Sequence, residues 1–342
     1  MMGELPAVGC LSSLTAIVPL DLQFRAKDII AKAKLMVGLA RGSDLKIVFA
    51  LNDRGTKYDA RLKSVLSGHP NASLVSGQFY HGAVNSAQLR NLAFAKVSTE
   101  HVVLLDVDLW LDLNLLKKHV AIVASGAVPF SVLPCLYLSM AGSRALLTGR
   151  RSLSQLRDDY FAFSRKEFLH LANPSSILVM RSTDYRALGG FDREFSGHGY
   201  EDFDFMIRLA SRYSLISASP DFLTNATTRS PLFVQGFRRE LGRLCLEPML
   251  DQDFFLHIFH AKSPESRAYY ALRARNFSRF CELHGEFVGG KLDSDPTLMT
   301  EFIHKCASTG RSIQDFSIYF ENKPGHVDRY DTLRRRVRFL LR

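Results

Sequence analysis

The sequence predicts an α/β protein with a mainly parallel central sheet, followed by a small helical C-terminal extension. In the first part of the chain, short β-rich runs alternate with helical stretches, and strands separated by single helices indicate βαβ units. The runs LTAIVPL (14–20) and HVVLL (101–105) are continuously apolar, which is typical of strands that helices cover on both faces. Beyond Lys262 the spacing of apolar residues becomes helical. We therefore predict a main domain at 1–262 and a helical extension at 263–342.

Each element follows from a local pattern along the chain. Apolar runs predict strands at 14–20, 45–51, 72–75, 101–105, 128–138, 177–180 and 215–218. Helical spacing predicts helices at 24–40, 58–66, 85–97, 201–212, 266–284, 296–307 and 327–341. Gly42 ends the first of these helices, and Ser294-Asp295-Pro296 is a good helix start. The polar, basic stretch 149–166 receives no element.

Composition places the chain among ordinary folded proteins. Of its 342 residues, 46% are hydrophobic and 23% are charged, which argues against a disordered, collagen-like or coiled-coil protein. No apolar run reaches the roughly 18 residues that a transmembrane helix needs, and the N-terminus lacks the basic region of a secretory signal. The five cysteines are scattered and include no CxxC pair, so neither a zinc knuckle nor a disulfide framework is indicated. We expect a cytoplasmic protein.

The net charge is basic. Lys and Arg number 44 against 34 Asp and Glu, which gives +10. Such a balance attracts polyanions, including nucleic acid, anionic lipid and diphosphate-bearing substrates, but does not choose among them. A nucleic-acid-binding protein is one hypothesis, yet the sequence contains no helix-turn-helix, zinc-finger or aromatic RNA-binding motif. We therefore expect no nucleic-acid partner.

The first chemical motif is Asp106-Val107-Asp108, directly after the apolar run VVLL. In open α/β sheets, ligands bind outside the carboxyl ends of the strands. Two carboxylates at that edge, one residue apart, can hold a hard divalent cation, which would in turn bridge a diphosphate. The alternative is a turn in which one Asp caps the next helix.

The second motif consists of GGFDREF (189–195) and GHGYEDFD (197–204). Three acids, Glu201, Asp202 and Asp204, lie within four residues, beside glycines that permit close backbone approach. Acids at a helix start are favoured by the helix dipole and as caps, which accounts for one or two of them. The cluster indicates a polar substrate and a general base.

The third motif is His257-Ile258-Phe259-His260. Two imidazoles three residues apart can share one metal ion of the manganese type. A lone histidine is more often structural, so this motif depends on the other two.

Taken in this order, DVD, GGFDREFSGHGYEDFD and HIFH resemble the motifs of inverting glycosyltransferases with the GT-A fold. The resemblance is to the galactosyltransferase-like and chondroitin-polymerase-like group, which has a DxD, then GGFDExFxGWGxEDxD, then a late HxxH or MxxH metal element. It covers roughly residues 14–276, including an Arg-Asn pair upstream of DVD. It implies that the main domain is a GT-A fold.

The resemblance implies a metal site and a donor site. Asp106 and Asp108 match the metal and donor motif, His260 matches the later metal ligand, and His257 is its weaker companion. The implied cofactor is Mn²⁺ or Mg²⁺. The remaining donor-binding positions are Pro19 and Asp53 along the uridine, and Arg90 near its ribose and phosphates.

The resemblance also implies an acceptor site. Asp202 matches the catalytic base, and Glu201 matches its partner in acceptor binding. We assign Gly199, His198 and Trp110 to the same site. His198 stands where the family usually has Trp, a residue that stacks on sugars, so this sequence departs from the pattern at that position.

The implied activity is metal-dependent, inverting transfer of a hexosyl or N-acetylhexosaminyl group from a UDP-sugar. The implied acceptor is an oligo- or polysaccharide, lipid-linked or soluble, in capsular or other surface polysaccharide synthesis of a bacterium. A catalytically silent relative that binds sugar or scaffolds a complex is the alternative, and His198 leaves it open.

The C-terminal residues Arg334–Arg342 interleave basic and apolar side chains. Helices of this kind lie on anionic membrane surfaces, whereas the alternative is a solvated helix packed on the body of the protein. We expect a peripheral position on the inner face of the cell membrane.

Overall fold

The structure is a computed structural model that describes residues 10–261, 267–291, 295–323 and 325–328. The strands that it describes are β1 (Leu14–Asp21), β2 (Lys46–Asn52), β3 (Ala72–Gly77), β4 (His101–Leu104), β5 (Phe130–Leu138), β6 (Phe168–Arg181) and β7 (Phe255–His257). They form one sheet in the order β3-β2-β1-β4-β6-β5-β7. The strand β1 lies parallel to β2 and β4, β2 lies parallel to β3, and β5 lies parallel to β7. The strands β4 and β6 pair antiparallel.

Helices separate the strands β1 to β4, as βαβ units require, and further helices follow β7. The described helices are α1 (Ala26–Leu39), α2 (Lys57–Ser67), α3 (Ser86–Phe94), α4 (Leu113–Ala124), α5 (Met140–Leu147), α6 (Leu153–Phe161), α7 (Ser182–Ala187), α8 (Glu201–Arg212), α9 (Phe237–Arg243), α10 (Leu246–Leu250), α11 (Arg267–Ala271), α12 (Arg273–His284) and α13 (Met299–Ser308). Short 3₁₀ helices occupy 11–13, 285–287 and 313–320. Among the residues described, no helix has the length and apolar character needed to cross a bilayer. The predicted α/β class, with a mainly parallel sheet and a helical C-terminal region, is confirmed.

The chain divides into two compact units. The first contains residues 1–132, 176–216 and 261–285, and the second contains 133–175, 217–260 and 286–342. In the first unit, β1 is buried along nearly its whole length, which is the outcome that its continuous apolar sequence predicts. The division of the sequence at residue 263 stays a prediction.

Most predicted elements are present, with ends that shift by a few residues. The helix predicted at 201–212 has the same bounds as α8. The helix predicted at 266–284 is two helices, α11 and α12. The strand predicted at 177–180 is the end of the much longer β6, whose first part contains polar residues such as His170 and Asn173 that interrupt the apolar pattern. The helix predicted at 327–341 and the tail Arg334–Arg342 lie almost wholly outside the described residues.

The prediction of a strand at 215–218 was wrong, because these residues are not in a strand. The backbone of this segment is used in other ways: Leu215 N–H donates to Ala210 O at 2.9 Å and closes the end of α8. Ser217 N–H donates to the Glu240 carboxylate at 3.2 Å. Ser214, directly before this segment, has a φ of 55°, a left-handed conformation that turns the chain after α8.

Four helices described in the second unit, α5, α6, α9 and α10, were not predicted. α6 begins with a capping box in which Ser152 and Gln155 exchange hydrogen bonds, and this S-x-x-Q pattern was available in the sequence. α5 begins at Ser139, whose hydroxyl accepts from Gly142 N–H at 3.1 Å and donates to Lys166 O at 2.6 Å. Gly142 must be glycine here, because a Cβ would lie 2.2 Å from Glu167 O.

Candidate active site

The DVD motif lies at the carboxyl end of β4, in the first unit. The Asp106 side chain is partly exposed, at 41%. Its Oδ1 accepts from Arg90 Nη2 at 2.9 Å, and its Oδ2 accepts from Ser176 Oγ at 3.2 Å. Asp106 is therefore oriented from two sides while it keeps an exposed edge.

Arg90 connects this motif to the acidic pair that opens α8. It lies on α3, and its side chain is only 3% exposed. Its Nη1 lies 3.6 Å from Glu201 Oε1, and its guanidinium stacks over the Phe191 ring at 5.1 Å from the centroid. Burial alone would lower the pKa of Arg90, but Asp106, Asp202 and Glu201 outweigh it and raise that pKa. One buried cation thus serves carboxylates from two motifs that are far apart in the sequence.

Glu201 and Asp202 supply buried oxygen atoms that point to a ligand. Burial, with the charge of Asp202, raises the pKa of Glu201, and Arg90 opposes that rise only in part. Within the described residues, Glu201 Oε2 and Asp202 Oδ1 are buried and have no hydrogen-bond partner. Buried acceptors of this kind are uncommon unless a water, an ion or a substrate satisfies them.

The backbone before α8 is held in a tight turn. Tyr200, the residue before the helix, has a φ of 77°, and Gly199 has a φ of 93°. Asn276 is 1% exposed, and its amide donates to Ser196 O at 2.9 Å and to Gly199 O at 3.1 Å. This amide fixes the turn and therefore the direction of the acidic pair.

Asn91, the neighbour of Arg90, holds the GGFD segment. Its Oδ1 accepts from Phe191 N–H at 2.8 Å and from Tyr185 Oη at 2.7 Å, and its Nδ2 donates to Phe191 O at 2.8 Å. A Cβ on Gly190 would lie 2.4 Å from the same Asn91 oxygen. The glycine is needed so that this asparagine can approach the backbone.

Asp108 is held by two cations from the first helix. Lys32 Nζ lies 2.6 Å from its Oδ1, and Arg25 donates to both of its oxygens at 3.2 and 3.0 Å. Asp28 completes the group, at 2.9 Å from Arg25 and 3.2 Å from Lys32. These residues were not predicted from the sequence. The signal was present, because Lys32 falls on the apolar face of α1, three residues after Ile29 and four before Met36, and a buried Lys is almost always paired.

The predicted uridine positions lie at the ends of β1 and β2. Pro19 is half-buried within β1. The Asp53 carboxylate accepts from Lys63 Nζ and from Gly55 N–H, and the hydrogen bond from Lys63 is the main cause that lowers its pKa.

Another polar network lies at the end of the neighbouring strand β1, and it was also not predicted from the sequence. Asp21 accepts two hydrogen bonds from Arg54, at 2.9 and 2.8 Å, and one from Tyr80 Oη at 2.8 Å. Its side chain is 1% exposed. Aspartate after an apolar strand was the available signal.

The predicted acceptor residues differ in their surroundings. The His198 ring stacks on Tyr269, with centroids 5.4 Å apart, and meets Tyr270 edge-on at 4.7 Å. Gly199 lies in the turn before α8, beside Arg273. Trp110 is half-buried in the connection between DVD and α4. His198 therefore belongs to an aromatic cluster in the first unit.

The two predicted histidine ligands lie in the second unit. His257 ends β7 and stacks on Tyr137, with centroids 4.1 Å apart. The rings of His257 and His260 are 5.5 Å apart. Between them, Phe259 N–H donates to Ser143 Oγ of α5 at 2.7 Å, which fixes the path of the segment.

The chemistry of the predicted metal ligands suits a divalent cation. Asp106 and Asp108 offer carboxylate oxygens, and His257 and His260 offer imidazole nitrogens, a mixture that suits Mn²⁺. Around DVD in the first unit, Arg25, Lys32 and Arg90 face Asp28, Asp106, Asp108, Glu201 and Asp202. The acids outnumber the bases there, and a divalent cation would offset that excess.

The chain matches a known protein-family model. The family model described as Glycosyltransferase like family 2 matches residues 48–283, more than half of the chain. A search of curated proteins found no match.

Solved structures give distant likenesses. S. aureus TarS is 12% identical with a TM-score of 0.39, over 80% of this chain and 70% of that one. Glucosyl-3-phosphoglycerate synthase from Mycobacterium tuberculosis, in complex with Mn²⁺, UDP and glucosyl-3-phosphoglycerate, is 10% identical with a TM-score of 0.38, over 86% of both chains. A mutant of Drosophila β1,4-galactosyltransferase 7, in complex with manganese, UDP-Gal and xylobiose, is 17% identical with a TM-score of 0.31, over 57% of this chain and 59% of that one. The chain thus spans less than two thirds of the Drosophila chain, and these low scores assign no ligand.

The opposite environments of two acids on α8 generate a stability prediction. His284 and Arg208 hydrogen-bond Asp204, at 3.1 and 2.8 Å, and hold its pKa below the ordinary value although burial opposes them. Glu201 has a raised pKa, so ionising it costs folding free energy as the pH rises from its ordinary value of about 4.3 through the folded value. We expect Glu201→Gln to gain stability relative to the native chain as the pH rises from about 5 to 9.

Asp204→Asn is the matched comparison and should behave with the opposite sign. It should lose about 3–5 kcal/mol near neutral pH, because it leaves a buried partner uncompensated, and this loss should shrink as the pH falls below about 4. Urea unfolding across pH measures both variants. Parallel stability curves for Glu201→Gln and the native chain would contradict the assignment of Glu201.

Proposed function

Because the chain belongs to the Glycosyltransferase like family 2, we propose that it transfers a sugar from a UDP-sugar to a saccharide acceptor with inversion at the anomeric carbon. The observation that carries this proposal is the buried Arg90, which contacts Asp106 at 2.9 Å and Glu201 at 3.6 Å. The predicted donor-side carboxylate and the predicted acceptor-side acids therefore lie around one guanidinium. The sugar transferred is a hexosyl or N-acetylhexosaminyl group.

Asp202 is the proposed general base. Its Oδ1 is buried without a hydrogen-bond partner among the described residues, so it is available to an acceptor hydroxyl. Burial and the charge of the neighbouring Asp202 raise the pKa of Glu201, so Glu201 holds a proton more readily than an ordinary glutamic acid and is not the proposed base. Asp202 would take the acceptor proton as the hydroxyl oxygen attacks the anomeric carbon and the bond to UDP breaks.

The proposed cofactor is Mn²⁺ or Mg²⁺, which when bound would act as a Lewis acid that stabilises the departing diphosphate. Asp106, Asp108 and His260 would hold it, with His257 as a further ligand. Pro19 and Asp53 would line the uridine, and His198, Gly199 and Trp110 would line the acceptor site. Arg90 would remain near the ribose and phosphates through its contact with Asp106.

The proposed biological role is capsular or other surface polysaccharide synthesis at the inner face of the cell membrane, with a lipid-linked or soluble saccharide acceptor. The basic net charge of +10 and the acids around Arg90 are compatible with that role. A catalytically silent relative is less well supported, because both acids of the Glu201–Asp202 pair are present.

Asp202→Asn should bind UDP with native affinity but lose about 10²- to 10⁴-fold in transfer rate, because the amide cannot accept a proton. UDP calorimetry and single-turnover transfer measure the two properties separately. Asp192→Asn is the control from the same motif: its carboxylate is paired with Arg279 at 2.6 Å, and we expect transfer to continue. Loss of UDP affinity with a native rate at saturation would show that Asp202 binds the donor and that the base lies elsewhere.

Asp106→Asn and Asp108→Asn should each weaken manganese-dependent UDP binding at least tenfold, because each removes an anionic oxygen ligand. The amide is preferable to alanine at Asp108, because Asp108 is buried and satisfies Arg25 and Lys32. Asp28→Asn is the matched control, since Asp28 contacts the same two cations but is not a proposed ligand. Equal losses in the Asp28 and Asp108 variants would assign Asp108 to charge balance instead of metal binding.

A further inference from the structure

α5, in the second unit, carries large apolar side chains on its outer face. Met140 is 65% exposed and Leu147 is 52% exposed. With Arg144, they occupy positions i, i+4 and i+7, which lie on one side of a helix. The other side of α5 is buried through Gly142, Ser143 and Leu146.

Basic residues adjoin both ends of this face. Arg150 and Arg151 follow the helix and are exposed, and Arg151 N–H donates to Ala145 O at 3.2 Å, which folds the turn back onto α5. Lys166 is exposed, and its carbonyl accepts from Ser139 Oγ at 2.6 Å, at the start of α5. We call Met140, Arg144, Leu147, Arg150, Arg151 and Lys166 the α5 face.

One acid, Asp159, contacts the α5 face. Arg151 pairs with Asp159 at 3.0 Å, but the Arg151 side chain is still 49% exposed. Nearby, Phe163 has a φ of 62° and is 41% exposed. Phe163 thus adds an exposed aromatic side chain three residues before Lys166 of the α5 face.

We propose that the α5 face docks the protein on the surface of an anionic phospholipid bilayer. Exposed apolar side chains among arginines fit the boundary between headgroups and acyl chains, where the apolar groups enter and the cations contact phosphate. A polynucleotide would attract the cations but would leave Met140 and Leu147 in water. This inference names the surface for the membrane location in the proposed function, and it does not depend on the transfer chemistry.

The position of the α5 face also gives docking a use. Ser143, on the buried side of the same helix, accepts from Phe259 N–H between His257 and His260 at 2.7 Å. The predicted histidine ligands therefore lie about one helix diameter, roughly 10 Å, from the docking surface. A lipid-linked saccharide would then be presented close to the proposed site.

The test is sedimentation of the full-length protein with vesicles of phosphatidylcholine containing phosphatidylglycerol, and with vesicles of phosphatidylcholine alone. We expect the native chain to bind the anionic vesicles, and R144Q/R150Q/R151Q to reduce the partition coefficient at least tenfold. The charge-matched control is K27Q/K34Q/R41Q, three exposed basic residues of the first unit, which should change it less than twofold.

A second pair of variants tests the apolar contribution. Met140→Ser with Leu147→Ser should also reduce vesicle binding at least tenfold, whereas Leu283→Ser with Ile303→Ser, at exposed helical positions, should not. Transfer to a soluble acceptor should be native in all four variants, so a failure of the proposed function would appear separately, as absent transfer in the native chain.

Three results would overturn the proposal. The first is that the native chain does not bind anionic vesicles. The second is that the charge-matched control K27Q/K34Q/R41Q loses as much vesicle binding as R144Q/R150Q/R151Q. The third is that R144Q/R150Q/R151Q binds as well as the native chain, which would assign the binding to another basic segment such as the C-terminal tail. Self-association that the α5 variants abolish, without any vesicle binding, would assign the face to a second copy of the chain.

Discussion

The buried guanidinium of Arg90 is the interaction on which the candidate active site depends. A charge this deeply buried is tolerated only when opposite charges compensate it, and Asp106, Glu201 and Asp202 together do so. Removing the guanidinium itself would leave these carboxylates without their buried counter-charge, a change that costs about 3–5 kcal/mol. The turn after β4 and the start of α8 are consequently held in fixed positions by the same side chain.

Two neighbouring residues on α3, Arg90 and Asn91, position different parts of the candidate active site. Arg90 compensates the carboxylates, while Asn91 hydrogen-bonds both backbone groups of Phe191 at 2.8 Å. Side chains from two helices likewise hold the DVD motif. Arg90 of α3 hydrogen-bonds Asp106. Arg25, directly before α1, and Lys32, within α1, hydrogen-bond Asp108. Side chains held by packed elements in this way need little reorganisation when a ligand binds.

The sequence predicted the strands of the first unit well, because continuous apolar runs such as LTAIVPL can hardly be placed elsewhere than in a sheet covered on both faces. The acids of α8 and DVD could also be found, since each follows a strong local pattern. Lys32, Asp21 and β6 could not be found as readily, because their state is decided by partners distant in the sequence. Lys32 is buried through Asp108, 76 residues later, and β6 is formed by pairing with β4 despite its polar residues. Local propensity is overridden by tertiary contacts in such places.

The central claim, that Arg90 couples the two motifs, is tested most directly by a double-mutant cycle. Asp106→Asn, Glu201→Gln and the double variant would be compared by their free energies of unfolding at a pH of about 9, above the raised pKa of Glu201. With Arg90 present, the account predicts an interaction energy of at least about 0.5 kcal/mol, and in an Arg90→Met background it predicts additive effects. Additive effects with Arg90 present would contradict the account.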